Sequence, residues 1–202
     1  MNQTRILKVS RLEGLTDGIF AIAMTILVLD LHLSPDMTAI NLTAHMTSDI
    51  FLKLIIYMGS FIILGTLWVA MNFQLGLLDH VNRPYLWSNV LYLMLVCIVP
   101  FSASLVAAYP THFASITFYA INLICASMAQ LLTILCAHAY RLNRDIYTTA
   151  IRHAVIQRIF IAPVFYIAAL ILAHWNMTLA FIALIAPTFL YMLPGKVDHF
   201  DQ

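Results

Sequence analysis

Charge is what this sequence has least of: ten Lys and Arg and nine Asp and Glu make up only 9% of its 202 residues. With 62% hydrophobic residues, too little polar sequence remains to clothe a soluble domain of this size. The mean hydropathy of +0.90 points to an integral membrane protein with the lipid bilayer as its first partner. The basic residues form no cluster, so no nucleic acid is expected. Cysteine is also scarce. Cys97, Cys125 and Cys136 stand in apolar segments without a C-x-x-C pair, and they read as small buried hydrophobes, neither disulfides nor metal ligands. The eight histidines show no H-E-x-x-H or comparable cluster, which argues against a membrane-embedded enzyme and leaves no metal or cofactor to expect.

What is present is a series of long apolar runs. The first, Leu15 to Leu33, exceeds a signal-peptide core, lacks a small-residue cleavage site, and carries Asp17 and Asp30, so it reads as a retained helix. A bilayer crossing needs about 20 mainly apolar residues. Six segments qualify: 15–33, 51–78, 87–108, 113–139, 156–174 and 177–193. The expected fold is an all-α membrane protein of six transmembrane helices, a single domain over residues 1–202 without linker or internal repeat. Pro35, Pro84, Pro110 and Pro194 fall near helix ends, whereas Pro100, Pro163 and Pro187 fall inside and predict kinks. Trp175-Asn176 leaves room only for a tight hairpin between the last two helices.

Basic residues alternate between the two ends of these helices. Arg5, Lys8 and Arg11 precede the first, Arg83 lies between the second and third, and Arg141, Arg144, Arg152 and Arg158 follow the fourth. Lys196 follows the sixth, and the intervening connections carry almost none, with Lys53 the exception. The positive-inside rule therefore makes both termini cytoplasmic. Trp87, Tyr109, Tyr140, Tyr147, Trp175 and Tyr191 suit interfacial belts, but Trp68 lies too deep for that role. His138 and His174 read as hydrogen-bonding groups near helix ends.

The most informative stretch is Arg11-Leu12-Glu13-Gly14-Leu15-Thr16-Asp17, which sets charge at the mouth of the first helix. A carboxylate in such a span is costly and usually functional. At about 100° per residue, Ile22, Thr25, Ile26 and Leu29 share a face roughly 100° wide, and Asp17 lies about 140° from Ile22. That face suits an apolar constriction, while Asp17 suits a contact that holds the helix in place. The ordinary alternative is plain packing or lipid contact. Likewise, Gly14 and Gly18 can serve close helix packing, and Asp30 and His32 read as solvated groups near the outer surface. Arg11, six residues from Asp17, is poorly spaced to pair with it on one helix and is expected to meet another helix, another subunit or a lipid phosphate.

At these residues the chain resembles the endosomal and lysosomal potassium channel family named transmembrane protein 175, especially its short prokaryotic homologues. That family opens its first helix with R-x-x-x-F-S-D; here Arg11 and Asp17 match, with Leu15 for Phe and Thr16 for Ser. Trp68, Trp87-Ser88-Asn89 and Pro100-Phe101-Ser102-Ala103-Ser104 are similar as well. Where the family often has a histidine after the second-helix Trp, this chain has Met71, Asn72 and Phe73, leaving Asn72 or His80 as substitutes.

The resemblance implies a potassium-permeable cation channel, a homotetramer with the first helices around a central pore, in a bacterial plasma membrane. It implies a hydrophobic constriction in place of a carbonyl filter, and no TVGYG-like loop occurs here. By position, the constriction falls on Ile22 and the polar pore position on Thr25, with Ile26 and Leu29 extending the lining. Arg11, Thr16 and Asp17 would orient the helix, with Trp68, His80 and Asn89 as partners. The alternative is a proton-coupled secondary transporter titrating Asp17 or His80, although the inverted repeats and broken helices common in such proteins are not evident.

Overall fold

The computed structural model describes residues 8–29, 50–144 and 148–192. Within them the chain forms six helices: α1 (Val9–Leu29), α2 (Phe51–Gly76), α3 (Arg83–Ala108), α4 (Phe113–Ala139), α5 (Thr149–Leu172) and α6 (Met177–Met192). Five are long and apolar enough to cross a membrane, while α6 is the shorter one, with 16 residues. The sixth segment, expected over 177–193, is thus helical nearly throughout, and five of the six helices have the length of a full span. Asp30, His32, Arg5, Pro35, Tyr147, Pro194 and Lys196 lie outside the described residues.

The helix starts differ most from the expected bounds, because capping chemistry and not hydropathy sets them. The first helix begins at Val9, so the Arg11–Asp17 stretch is helical, with Arg11, Leu12, Glu13 and Leu15 as its good helix formers. Asn82 caps α3 by accepting from the Tyr85 N–H at 3.0 Å, with Pro84 in the first turn where a missing donor costs nothing. Thr148 caps α5 by accepting from Ile151 N–H at 3.3 Å, carrying that helix through Arg152 and well before Ile156. Asn176 accepts from Thr178 and Leu179 N–H groups and turns the chain sharply into α6. By contrast, α4 has the bounds expected of it, and Pro100, Pro163 and Pro187 all lie inside helices.

At the basic end, two connections are sewn together. α2 stops at Gly76 because Leu77 and Leu78 leave it to pair with the segment after α4. Leu78 and Asn143 form an antiparallel bridge, Asp79 N–H donates to Leu142 O, and Arg144 donates from its backbone N–H to Leu77 O and from Nε to Leu78 O. α4 closes with Leu142 N–H on Ala137 O and Arg141 N–H on His138 O, and Arg141 takes a left-handed conformation at φ 53°. Glycine is the usual residue there, so Arg141 sits under mild strain.

The main core runs from α1 through all the other helices, and a smaller cluster of Leu77, Ile134, Ile151, Val155 and Ile159 lies nearer the sewn loops. α4 touches α3, α5 and α6, whereas α1 packs on α2 and α3. Gly59 lets α6 approach α2: a Cβ there would stand 2.7 Å from Ile185 Cδ1. Large apolar side chains such as Trp87, Val164, Ile182 and Phe189 point outward, as a lipid-facing surface permits. Cys97 and Cys125 join that outer surface, correcting the expectation that they are buried; a bundle in lipid can be apolar on both sides. All three cysteines are free thiols.

Candidate functional site

Helix α1 presents two faces of opposite character. Leu12, Thr16, Phe20, Ala23 and Leu27 recur at the three- and four-residue spacing of one helical stripe, and all are at most 3% exposed. On the other side Ile22 is 60% exposed, Ile26 42% and Leu29 63%, with Thr25 also exposed. Around the helix, Ile22, Thr25 and Leu29 sit roughly 120–180° from Thr16. This second face therefore meets none of the helices that hold α1.

Three contacts fix the buried side. Thr16 is fully buried, and its hydroxyl oxygen accepts from Asn89 Nδ2 of α3 at 3.4 Å. Phe20 packs on Tyr92, ring centroids 6.2 Å apart, and Tyr92 passes the linkage on by donating its hydroxyl to the Leu67 carbonyl of α2 at 3.2 Å. Asp17, flanking this stripe, accepts from the Trp68 indole N–H at 2.9 Å. That bond accounts for a tryptophan too deep for an interfacial belt. At 1.5 Å per residue, Asp17 and Trp68 each lie about 12 Å in from the basic end, as antiparallel neighbours should. Together the three contacts orient α1 on α2 and α3, which sets the direction in which Ile22 points.

On the free face, the Thr25 hydroxyl donates to the Ile22 carbonyl at 2.8 Å. Its proton is thereby committed, and its oxygen turns only lone pairs outward. Gly14 and Gly18 have nothing within 4 Å of where a Cβ would be, so among the described residues neither serves close packing inside the chain. Arg11 is exposed at the basic end, on the same side of the helix as Leu29.

His80 does not join this group. It lies in the α2–α3 connection, where its Nδ1 meets Asp79 Oδ2 at 3.3 Å. Twelve residues separate it from Trp68, a distance that runs past the end of α2. Asn72 is no substitute either, since its amide nitrogen finds no partner among the described residues. His138 meets Arg152 at 2.6 Å and His174 stacks edge-on against Phe113, as suits groups at helix ends. No cluster of three metal-binding side chains occurs among the described residues. Sequence reading missed Phe20 and Tyr92. The signal was available, since Phe20 follows Thr16 by four residues, as Thr16 follows Leu12.

An all-α membrane bundle whose first helix keeps one apolar face free of its own chain is the class that fold and site define. A family model described as endosomal/lysosomal potassium channel TMEM175 matches residues 11–100, the stretch holding α1, α2 and most of α3. The likeness to that family lies in the first half of the chain, and prokaryotic potassium channels share it. It is 31% identical over 99 residues to a potassium channel of Streptomyces collinus, covering 49% of this chain and 48% of that one. To a potassium channel of Chamaesiphon minutus it is 32% identical over 104 residues, covering 50% and 51%. The match thus spans about half the length of these curated relatives. The crystal structure of a lysosomal potassium-selective channel TMEM175 homolog from Chamaesiphon minutus has the same fold: TM-score 0.77 over 91% of this chain and 95% of that chain, at 21% identity.

Proposed function

We propose that the chain is one six-helix unit, residues 1–202, of a homotetrameric, potassium-permeable cation channel whose pore is lined by α1. The observation that carries this reading is the outward projection of Ile22, Thr25 and Leu29 from a helix whose opposite side is fully engaged. Lipid alone would be a poor match for that face. Elsewhere the outer surface is bulky, with Trp87, Val164 and Phe189, whereas the free side of α1 carries Gly14, Gly18, Ala21 and Thr25. Small residues favour close approach of helices, and a hydroxyl oxygen favours a cation path. The potassium channels among its relatives support the choice of ion.

Closure follows from apolar geometry. Four Ile22 side chains around one axis would leave a constriction too narrow and too apolar for water, and small outward movements of α1 would wet it. Thr25, one turn further along, would offer a ring of hydroxyl oxygens whose protons are turned away to the Ile22 carbonyls. Asp17, Trp68, Thr16 and Asn89 hold the helix at the required rotation without touching the ion. The positive-inside rule applied to the basic loops supports cytoplasmic termini, and the bacterial relatives support a bacterial plasma membrane.

Cross-linking tests the arrangement. In a background with Cys97, Cys125 and Cys136 replaced by alanine, Ile22→Cys should form disulfide-linked dimers on mild oxidation in membranes, and Leu27→Cys should not. Equal yields, or none at Ile22, would leave α1 facing lipid and remove the basis for the pore.

A further inference from the structure

Helix α4 buries an unusual number of polar side chains, among them Asn122, Ser127, Gln130 and Thr133. Inside a membrane bundle each must find a partner within the protein, because no lipid supplies one. Several do. Ser127 Oγ donates to Leu123 O at 2.9 Å, and Thr133 Oγ1 donates to Gln74 Oε1 at 3.0 Å. Gln130 stands apart: it is 2% exposed, yet its amide nitrogen has no partner among the described residues.

That residue lines a cavity bounded by α2, α4, α5 and α6, with about 20 Å³ open to the centre of a water molecule. One water needs roughly 10–15 Å³ on this measure. The remaining polar side chains of the wall are the hydroxyl-bearing Thr66, Ser127, Tyr166, Thr188 and Tyr191. Thr66 and Ser127 spend their protons on the Ile62 and Leu123 carbonyls, so their oxygens are left as acceptors. Ile159 also lines the space, and its carbonyl has no donor one turn on, because Pro163 carries no N–H. Donor, acceptors and room are thus collected in one place. The comparable orphan at Gln74 faces a smaller space of about 10 Å³, at the lower limit for a single water.

We infer that this cavity is a hydration site inside each subunit, where water bonded to the Gln130 amide and the surrounding hydroxyls joins the α5–α6 hairpin to α2 and α4. The site is separate from the free face of α1 and does not depend on the pore assignment. It makes the hairpin a wet joint within the bundle. A dry cavity of this polarity would instead leave the amide as a standing cost.

Radiolytic hydroxyl-radical labelling of the wild-type protein in lipid nanodiscs reads such water directly. Tyr166 lines the cavity, whereas Tyr119, equally buried, has its hydroxyl on Ser60 and does not. Tyr166 should be modified several-fold faster than Tyr119. In Gln130→Met, which keeps the side-chain length without the amide, the Tyr166 rate should fall toward that of Tyr119 and the melting temperature should drop. Equal labelling of the two tyrosines in the wild type would overturn the inference. So would a melting temperature raised by Gln130→Met, the sign expected when a dry orphan is removed. If that variant fails to fold, the wild-type comparison of the two tyrosines decides.

Discussion

Helices α1 and α4 solve opposite problems with similar lengths of apolar sequence. α4 keeps apolar side chains such as Ile121, Leu132 and Leu135 on its outer side, and its polar side chains turn inward to Ser60, Ser102 and Gln74. α1 engages its chain along a single stripe and leaves Ile22, Thr25, Ile26 and Leu29 uncovered. The lesson is that hydropathy does not separate a scaffold helix from a working one. What separates them is what the subunit itself supplies: inward partners for the polar side chains of α4, and no covering helix for the Ile22–Leu29 face of α1 among the described residues.

Substitutions on the two faces of α1 should break this contrast most sharply. Phe20→Ala empties a fully buried site against Tyr92 and should cost about 3–5 kcal/mol, read as a large fall in melting temperature. Leu29→Ala should leave subunit stability nearly unchanged and alter current. Similar melting temperatures for the two variants would dissolve the distinction between the faces. Within α4, Tyr119→Phe removes a buried hydroxyl bond of 2.9 Å to Ser60 and should cost about 1–3 kcal/mol with ion selectivity intact. A change in selectivity at constant stability would put α4 among the working helices after all.

Next in size is the Asp17–Trp68 bond. Both residues are partly open, so Trp68→Phe should cost only about 1 kcal/mol, less than a fully buried charged hydrogen bond. Its mark should be loss of assembled protein on size-exclusion chromatography, as for Asp17→Ala, before any loss of selectivity. The double variant should cost less than the sum of the singles, and strict additivity would show that the pair is uncoupled. The smallest effect should be a gain: Arg141→Gly relieves the left-handed turn after α4 and should raise stability by about 1 kcal/mol.

Much of this was legible beforehand, for reasons that differ by feature. Apolar length announced the helices and gave the bounds of α4 outright. The start of α1 was hidden because hydropathy registers Leu15 and overlooks the helix-forming turns before it. Helical angle alone set Ile22, Thr25, Ile26 and Leu29 on one face, and the structure leaves that face exposed. Asp17, Trp68, Thr16 and Asn89 came into view through the family resemblance, since nothing local to either segment announces a contact between residues 51 or 73 positions apart. His80 was misplaced because its nearness to Trp68 in sequence spans the end of α2. The Phe20–Tyr92 contact was overlooked because an aromatic residue in an apolar run carries no mark of its partner.

The central claim is that the uncovered face of α1 makes an apolar constriction. Single-channel recording in planar bilayers, with opposed potassium and sodium gradients and Ile22→Asn beside the wild type, tests it most directly. The account predicts discrete wild-type currents reversing toward the potassium potential, and in the variant a larger leak with reversal nearer zero. Currents and reversal potential unchanged by Ile22→Asn would contradict it.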